Sequence, residues 1–425
     1  MMPKFAVPGC SSKNSASVSW LIFSCVVAAI AYLPALNNGF IADDWVILER
    51  VDALKTDPLS LYQVPPENFR LVSYLIFAVL KAFFGYHASF FYAFNIVLHI
   101  VNVALLWRLL ELVTSDHFVA LLGTLFFAAF QAPQEAVMWL AAMNETTLGF
   151  FALMTALMWC RERHAAATLF YTFALFSKES APIILVIVFL MQWYQKRRLF
   201  CRAYLFLLIP TAGFTAIFLS TLTHNFMITN HSYAFGPQAF LVLTKTLHRL
   251  IWPWLYIILL LVWLKRRVLP PAATVTIYLA CVVVPMLPYM FIAYQTSLPS
   301  RQLYLSSAVL MPVFAVLLKP LQRTTLLNVF VIAFVGFNVG YLWIRKDRQF
   351  EERAAPTTQL VNTLRLRAPQ RTIVLNFAYP YPAIARAAAW ALPGWRPQLI
   401  LVGEPAEPCS DCWRLRWDAQ QQRYD

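Results

Sequence analysis

The chain has 425 residues, of which 60% are hydrophobic and only 13% charged, where a soluble domain carries about a quarter charged residues. Apolar runs of about 17–25 residues recur, each long enough to cross a bilayer. The short alternating segments of a membrane barrel are missing, so the expected fold is an all-α polytopic membrane protein. The net charge of +14 sits in short basic clusters between apolar runs, the pattern of cytoplasmic loops rather than of a nucleic-acid partner.

Taken in order, residues 1–17 read as a cytoplasmic N-terminal tail, with Lys4 and Lys13 its only charges. Val18 to Leu36 is the first span. Ala29-Ile30-Ala31 resembles a signal-peptide cleavage site. The apolar run continues past it through Tyr32 and Leu33, and many spans follow, so an uncleaved anchor is expected.

Residues 37–70 form a first external loop broken by Pro58, Pro65 and Pro66. Asp43 and Asp44 stand where the first apolar segment gives way to that loop. A charge at a membrane boundary costs little, so a solvated loop end explains the pair. Two adjacent acids also repel, and near an apolar wall one of them gains a raised pKa, which suits a general base or a cation ligand. Leu71 to Phe84, interrupted by Lys81, is short and reads as an interfacial helix.

Ala88 to Leu110 is the second span. Asn95, His99 and Asn102 share roughly one of its faces and should bond across the bundle, with His99 a packed residue rather than a ligand. Further spans follow at 118–130, 137–159, 165–176, 181–194, 203–222, 251–264, 271–294, 303–318 and 326–344, which brings the total to about eleven. The basic clusters at 161–163, 196–202, 265–267 and 319–323 then fall on one side, which the positive-inside rule makes cytoplasmic. Residues 18–344 form the transmembrane domain. Residues 345–425 turn polar and form a small external α/β region: strands at 372–377 and 398–402, a helix at 384–391. Its core is thin and should lean on the membrane part. Cys409 and Cys412 suit a local disulfide in an oxidising compartment. A zinc site needs about four ligands, and no histidine follows His248.

On this topology the external face gathers Asp43, Asp44, Arg70, Glu135, Asn144, Glu145, Lys178, Glu179, Arg249 and Arg301, each acid near the lip of a span. Polar external loops explain scattered charges; they explain less well why acids sit at the lips of spans. A carboxylate can take the proton of an acceptor hydroxyl. Arginine and lysine can hold a phosphate and stabilise its growing charge. No glycine-rich phosphate loop and no serine-nucleophile motif is present.

Six stretches carry a resemblance: 38–44 (Asn-Gly-Phe-Ile-Ala-Asp-Asp), Phe69-Arg70-Leu71, 95–102 (Asn-Ile-Val-Leu-His-Ile-Val-Asn), 135–139 (Glu-Ala-Val-Met-Trp), Ser177-Lys178-Glu179 and 301–305 (Arg-Gln-Leu-Tyr-Leu). In this order and spacing the chain resembles the GT-C superfamily of membrane glycosyltransferases. It is most similar to the membrane part of the transmembrane tetratricopeptide-containing O-mannosyltransferases and their bacterial relatives. The resemblance implies transfer of a sugar from a polyprenyl-phosphate donor to a saccharide, lipid or protein acceptor on the external face. It implies a catalytic base at Asp43 or Asp44, of which Asp44 is favoured, with Asp43 tuning it or holding a cation. It also implies that Lys178 and Arg301 neighbour the lipid phosphate, and places Tyr304 beside them as a further substrate-binding residue. Some members use a divalent metal and many do not, so a metal stays open and no other cofactor is expected.

Two positions depart from the family pattern. Gln131-Ala132-Pro133 stands where a His-Pro usually precedes the acid of the second external loop. Met143-Asn144-Glu145 stands where an Arg-x-Asp usually follows the tryptophan. No tetratricopeptide repeat is found in 345–425. The main rival is a transporter or flippase of lipid-linked saccharides, which would show internal repeats and broken mid-membrane helices; a non-catalytic scaffold would leave the two aspartates dispensable. The short loops and basic clusters fit a bacterial inner membrane, with the N-terminus cytoplasmic and the C-terminus periplasmic.

Overall fold

The computed structural model describes residues 15–56, 70–194, 203–220, 226–265, 272–293, 295–403 and 409–425. Most of the N-terminal tail, the loop stretch 57–69 and the basic cluster 196–202 lie outside the described residues. The protein is mostly helical. Among the described residues six helices are long and apolar enough to cross a membrane, and up to seven if a pair bent by 59° counts as one span. A helical chain with several candidate spans is as expected; the count of about eleven is not reached by these helices. At 118–130, 165–176, 181–194 and 271–294 the sequence suggested full spans, and the helices there are of 10–17 residues. Breaks cut them short: the run after His117–Ala129 meets Pro133, and Ala272–Val283 passes into a 3-10 turn at Pro285.

The bundle starts with α1 (Ser15–Tyr32) and continues, after α2 (Asp43–Thr56) and α3 (Leu71–Phe84), with α4 (Ala88–Thr114), α5 (His117–Ala129), the short α6 (Gln134–Met138) and α7 (Met143–Cys160). Then come α8 (His164–Leu175), α9 (Ile183–Tyr194) and α10 (Ala203–Ser220). After a short turn at Phe226–Thr229, α11 (Gln238–Ile251) and α12 (Trp254–Leu264) make the bent pair, followed by α13 (Ala272–Val283) and α14 (Tyr304–Leu318). Helix α14 packs on both α5 and α13 and is among the most buried spans. Apolar side chains cover the outside of the bundle, with Phe83 79%, Trp263 72% and Ile332 73% exposed. Such a surface is stable against lipid, not water.

Polar side chains lock the inside. Asn95 donates to the carbonyls of Ala136 (2.9 Å) and Val137 (3.0 Å) and accepts from Thr146 at 2.6 Å. Asn102 donates to Thr146 O at 2.8 Å and to the Tyr304 hydroxyl at 3.0 Å, while His99 Nδ1 bonds that same hydroxyl at 2.8 Å. His99 is thus a packed hydrogen-bonding residue. The Tyr304 ring lies against Gly149, where an added Cβ would stand 2.6 Å from it.

The last helix is longer than the sequence suggested. A helical rod runs over Thr325–Arg365, 41 residues or about 60 Å at 1.5 Å per residue. Its first part is α15 (Thr325–Tyr341); a π-helical turn at Leu342–Lys346 leads into α16 (Asp347–Arg365). No boundary falls at residue 345. Beyond it lie β1 (Thr372–Leu375), α17 (Pro382–Trp390), β2 (Ile400–Val402), β3 (Trp413–Asp418) and β4 (Arg423–Tyr424). The sheet order is β2-β1-β3-β4, with β1 parallel to β2 and β3, and β4 antiparallel. Two strands thus go beyond the expected α/β unit. Cys409 and Cys412 form a disulfide.

This small unit leans on the helical part, as its thin core requires. Helix α17 packs on α2, Thr357 donates to Phe40 O at 3.0 Å, and Tyr424 donates to Pro356 O at 3.1 Å. Helix α16 also passes so close to Gly39 that a Cβ there would collide with Thr358 Oγ1 and approach Ala354. Gly39→Ala should therefore destabilise the protein by about 1–3 kcal/mol, as overpacking does. Thermal unfolding in detergent checks this; a variant as stable as the wild type would mean the contact is loose.

Candidate active site

A cavity of about 570 Å³ opens between α2, α3, the α8–α9 turn and the start of α14. Asp43, Arg50, Arg70, Asn144, Lys178, Glu179 and Arg301 line it, together with Trp139, Tyr74 and Tyr289. Six sequence-selected residues from distant stretches thus share one wall. Asp44, Glu135, Glu145 and Tyr304 lie behind it.

The two aspartates have opposite surroundings. The backbone turns at Ala42, which adopts φ +43, and α2 starts at Asp43. Asp44 is fully buried, and both its oxygens are taken: Oδ2 accepts the Ile41 N–H at 2.7 Å and Oδ1 the Ala141 N–H at 2.6 Å. Burial pushes its carboxyl up to about 8, against the pull of those two N–H groups. Asp44 ties the start of α2 to the segment before α7 and offers nothing to a substrate. The expectation favoured Asp44 as base; of the two aspartates, Asp43 is the one that lines the cavity. Asp43, one residue earlier, is exposed to the cavity. Desolvation by the surrounding walls raises its carboxyl above the usual value, opposed by Arg301, Arg353, Arg50 and Arg70. A carboxylate that serves as a base must be ionised, so any activity that depends on Asp43 as a base should fall as pH drops through this raised pKa. The acid limb of kcat/KM should lie above the ordinary aspartate value of about 3.9. A pH–rate profile flat down to pH 4 would contradict it.

The cations are mostly held by acids. Arg70 makes a bidentate pair with Glu179, Nε to Oε2 at 2.9 Å and Nη2 to Oε1 at 2.8 Å. Burial works against the Glu179 charge, and Arg70 with Lys178 outweighs it, holding that carboxyl down to about 2. Lys178 is buried and bonded to the buried Glu145. Arg301 stands 3.7 Å from Glu135, whose other oxygen accepts from Arg353 at 3.3 Å. Both guanidiniums also lie over the Trp139 ring, at 4.8 and 4.6 Å. Glu135 is therefore an ionic bridge rather than a cavity group, and Glu145 is the buried partner of Lys178. Tyr304 belongs to the His99–Asn102 network in the core, away from the cavity.

Two residues escaped sequence reading. Arg353 comes from α16, in a stretch read as a separate appendage, and nothing local marks it. Arg50 donates to the Tyr74 hydroxyl at 3.2 Å. It could have been found, since Asp43, Val46, Ile47 and Arg50 recur at helical spacing and all line the cavity. Among the described residues no group of three or more His, Cys, Asp or Glu side chains is placed to hold a metal ion. No protein-family model matches the chain, and no curated protein matches it significantly.

Proposed function

We propose that the protein is a membrane glycosyltransferase that moves a sugar from a polyprenyl-phosphate donor to an acceptor on the external face of the membrane. One observation carries this: a single cavity holds the exposed carboxylate of Asp43 among the cations Arg50, Arg70, Lys178 and Arg301. Such a set suits transfer from a phosphate leaving group. Asp43 accepts the proton of the acceptor hydroxyl as its oxygen attacks the anomeric carbon. The bond from that carbon to the phosphate oxygen breaks, and its electron pair stays on the phosphate. Attack opposite the leaving group inverts the anomeric configuration. The order of motifs from Asn38 to Leu305 supports placement in the GT-C superfamily, with a saccharide, lipid or protein as acceptor.

In this function the short helices α5, α8, α9 and α13 complete crossings together with the turns at their cavity ends, for about eleven in all. The site then faces the periplasm of a bacterial inner membrane, with the N-terminus cytoplasmic and the C-terminal sheet periplasmic. Basic residues at the opposite end of the bundle, such as Lys319 paired with Asp116, favour that orientation. A second reading, a flippase or transporter of lipid-linked saccharides, is favoured by the α11–α12 pair, bent by 59°.

The test is transfer by the purified full-length protein from a panel of undecaprenyl-phosphate hexoses and pentoses, with membrane extract as the acceptor source. Acceptor-dependent release of undecaprenyl phosphate is expected from at least one donor. No release from any donor would refute the function.

A further inference from the structure

One face of α2 forms a wall of the cavity. Asp43, Val46, Ile47 and Arg50 all line it, at positions i, i+3, i+4 and i+7. Asp44, Leu48 and Val51 turn the other way and are buried. A carboxylate thus stands at the first turn and a guanidinium two turns further on, about 10 Å away along the axis at 1.5 Å per residue.

The other cations of the cavity named above already have acids: Arg70 has Glu179, Lys178 has Glu145, and Arg301 has Glu135. Among the described residues Arg50 pairs with no carboxylate. Its hydrogen bond to the Tyr74 hydroxyl, at 3.2 Å, orients the guanidinium without neutralising it. A guanidinium has five N–H donors in a fixed fork that suits phosphate oxygens.

The geometry points to Arg50 as the anchor of the leaving phosphate monoester, at the opposite end of the α2 face from the base Asp43. This rests on the transfer function proposed above. It assigns the leaving-group pole to a residue that forms no salt bridge with a carboxylate among the described residues, instead of to Lys178 or Arg70. An in-line displacement needs the carboxylate, the acceptor oxygen, the anomeric carbon, the phosphate and its cation in a row. With ordinary hydrogen bonds at both ends and a near-attack gap in the middle, that row spans roughly 10 Å, the spacing α2 provides. The step balances: the acceptor proton goes to Asp43, a carbon–oxygen bond forms as the sugar–phosphate bond breaks, and the phosphodiester leaves as a monoester with one more negative charge. Arg50 meets that added charge, so it should hold the product more tightly than the donor.

The experiment measures binding of undecaprenyl phosphate, undecaprenol and inorganic phosphate to the full-length protein in lipid nanodiscs, for the wild type, Arg50→Gln and Arg50→Lys. Loss of a charged hydrogen-bond pair should weaken undecaprenyl phosphate binding by about 10- to 100-fold in Arg50→Gln, with partial recovery in Arg50→Lys and no change for undecaprenol. Equal binding of undecaprenyl phosphate by the wild type and Arg50→Gln would overturn the anchor and leave the transfer function standing. A wild type that binds undecaprenyl phosphate no better than undecaprenol would overturn the transfer function and the anchor with it. Inorganic phosphate binding as tightly as the lipid phosphate would mean a free-phosphate site and would overturn the lipid headgroup as the ligand.

Discussion

Asp43→Asn should lower sugar transfer by about 10²- to 10⁴-fold, the usual contribution of a positioned general base, and leave the fold intact. The Asp43 side chain meets the cavity and supports no neighbouring backbone, so the amide replaces it without a structural cost. Asp44→Asn should behave in the opposite way. Each Asp44 oxygen accepts a backbone N–H, one from Ile41 and one from Ala141. An amide presents a donor to one of them, which leaves a buried N–H without a partner at a cost of about 1–3 kcal/mol. Its thermal unfolding should therefore move, with transfer per folded molecule falling far less than in Asp43→Asn. Assays of both variants, normalised to the monodisperse fraction on size-exclusion chromatography, separate the two roles. Normal transfer by Asp43→Asn would remove the proposed base.

The second large effect concerns Lys178 and Glu145. Both side chains are buried, at 4% and 3% exposure, and each is the other's charge partner. Replacing Lys178 by Met leaves the Glu145 carboxylate alone in the protein interior, which costs about 3–5 kcal/mol. Removing both charges, with Lys178→Met and Glu145→Gln, should restore most of that loss, because no unpaired charge remains. The expected order of unfolding temperatures is wild type and double variant close together, single variant well below. If Lys178→Met instead kept its stability and only raised the KM for the donor, Lys178 would be a substrate contact and the buried pair would not be what holds it.

How much of this was legible beforehand differs by residue. The membrane class follows from composition, and the expected topology had already gathered Asp43, Arg70, Asn144, Lys178, Glu179 and Arg301 on one face before the structure brought them to one cavity. Those residues lie beside turns and helix starts, where chain direction and polarity change together. The roles of Asp43 and Asp44 could not be read, because adjacent residues on a helix point about 100° apart and only the packed turn shows which faces the cavity. Glu135 and Glu145 looked like cavity acids for the same reason. Helix lengths were not legible, because an apolar run does not reveal where proline or a 3-10 turn ends its helix. Arg353 was invisible: its place beside Glu135 and Trp139 depends on a helix that runs on through a polar stretch.

The most direct measurement follows a labelled donor in proteoliposomes. The full-length protein is reconstituted with an undecaprenyl-phosphate sugar labelled in the sugar, and acceptor is supplied on one side. Transfer predicts acceptor-dependent loss of label from the lipid, stoichiometric release of undecaprenyl phosphate, and a product of inverted anomeric configuration, all absent in Asp43→Asn. Movement of the intact labelled lipid between leaflets, with no release and no dependence on acceptor or Asp43, would contradict the account and mark the cavity as a transport path.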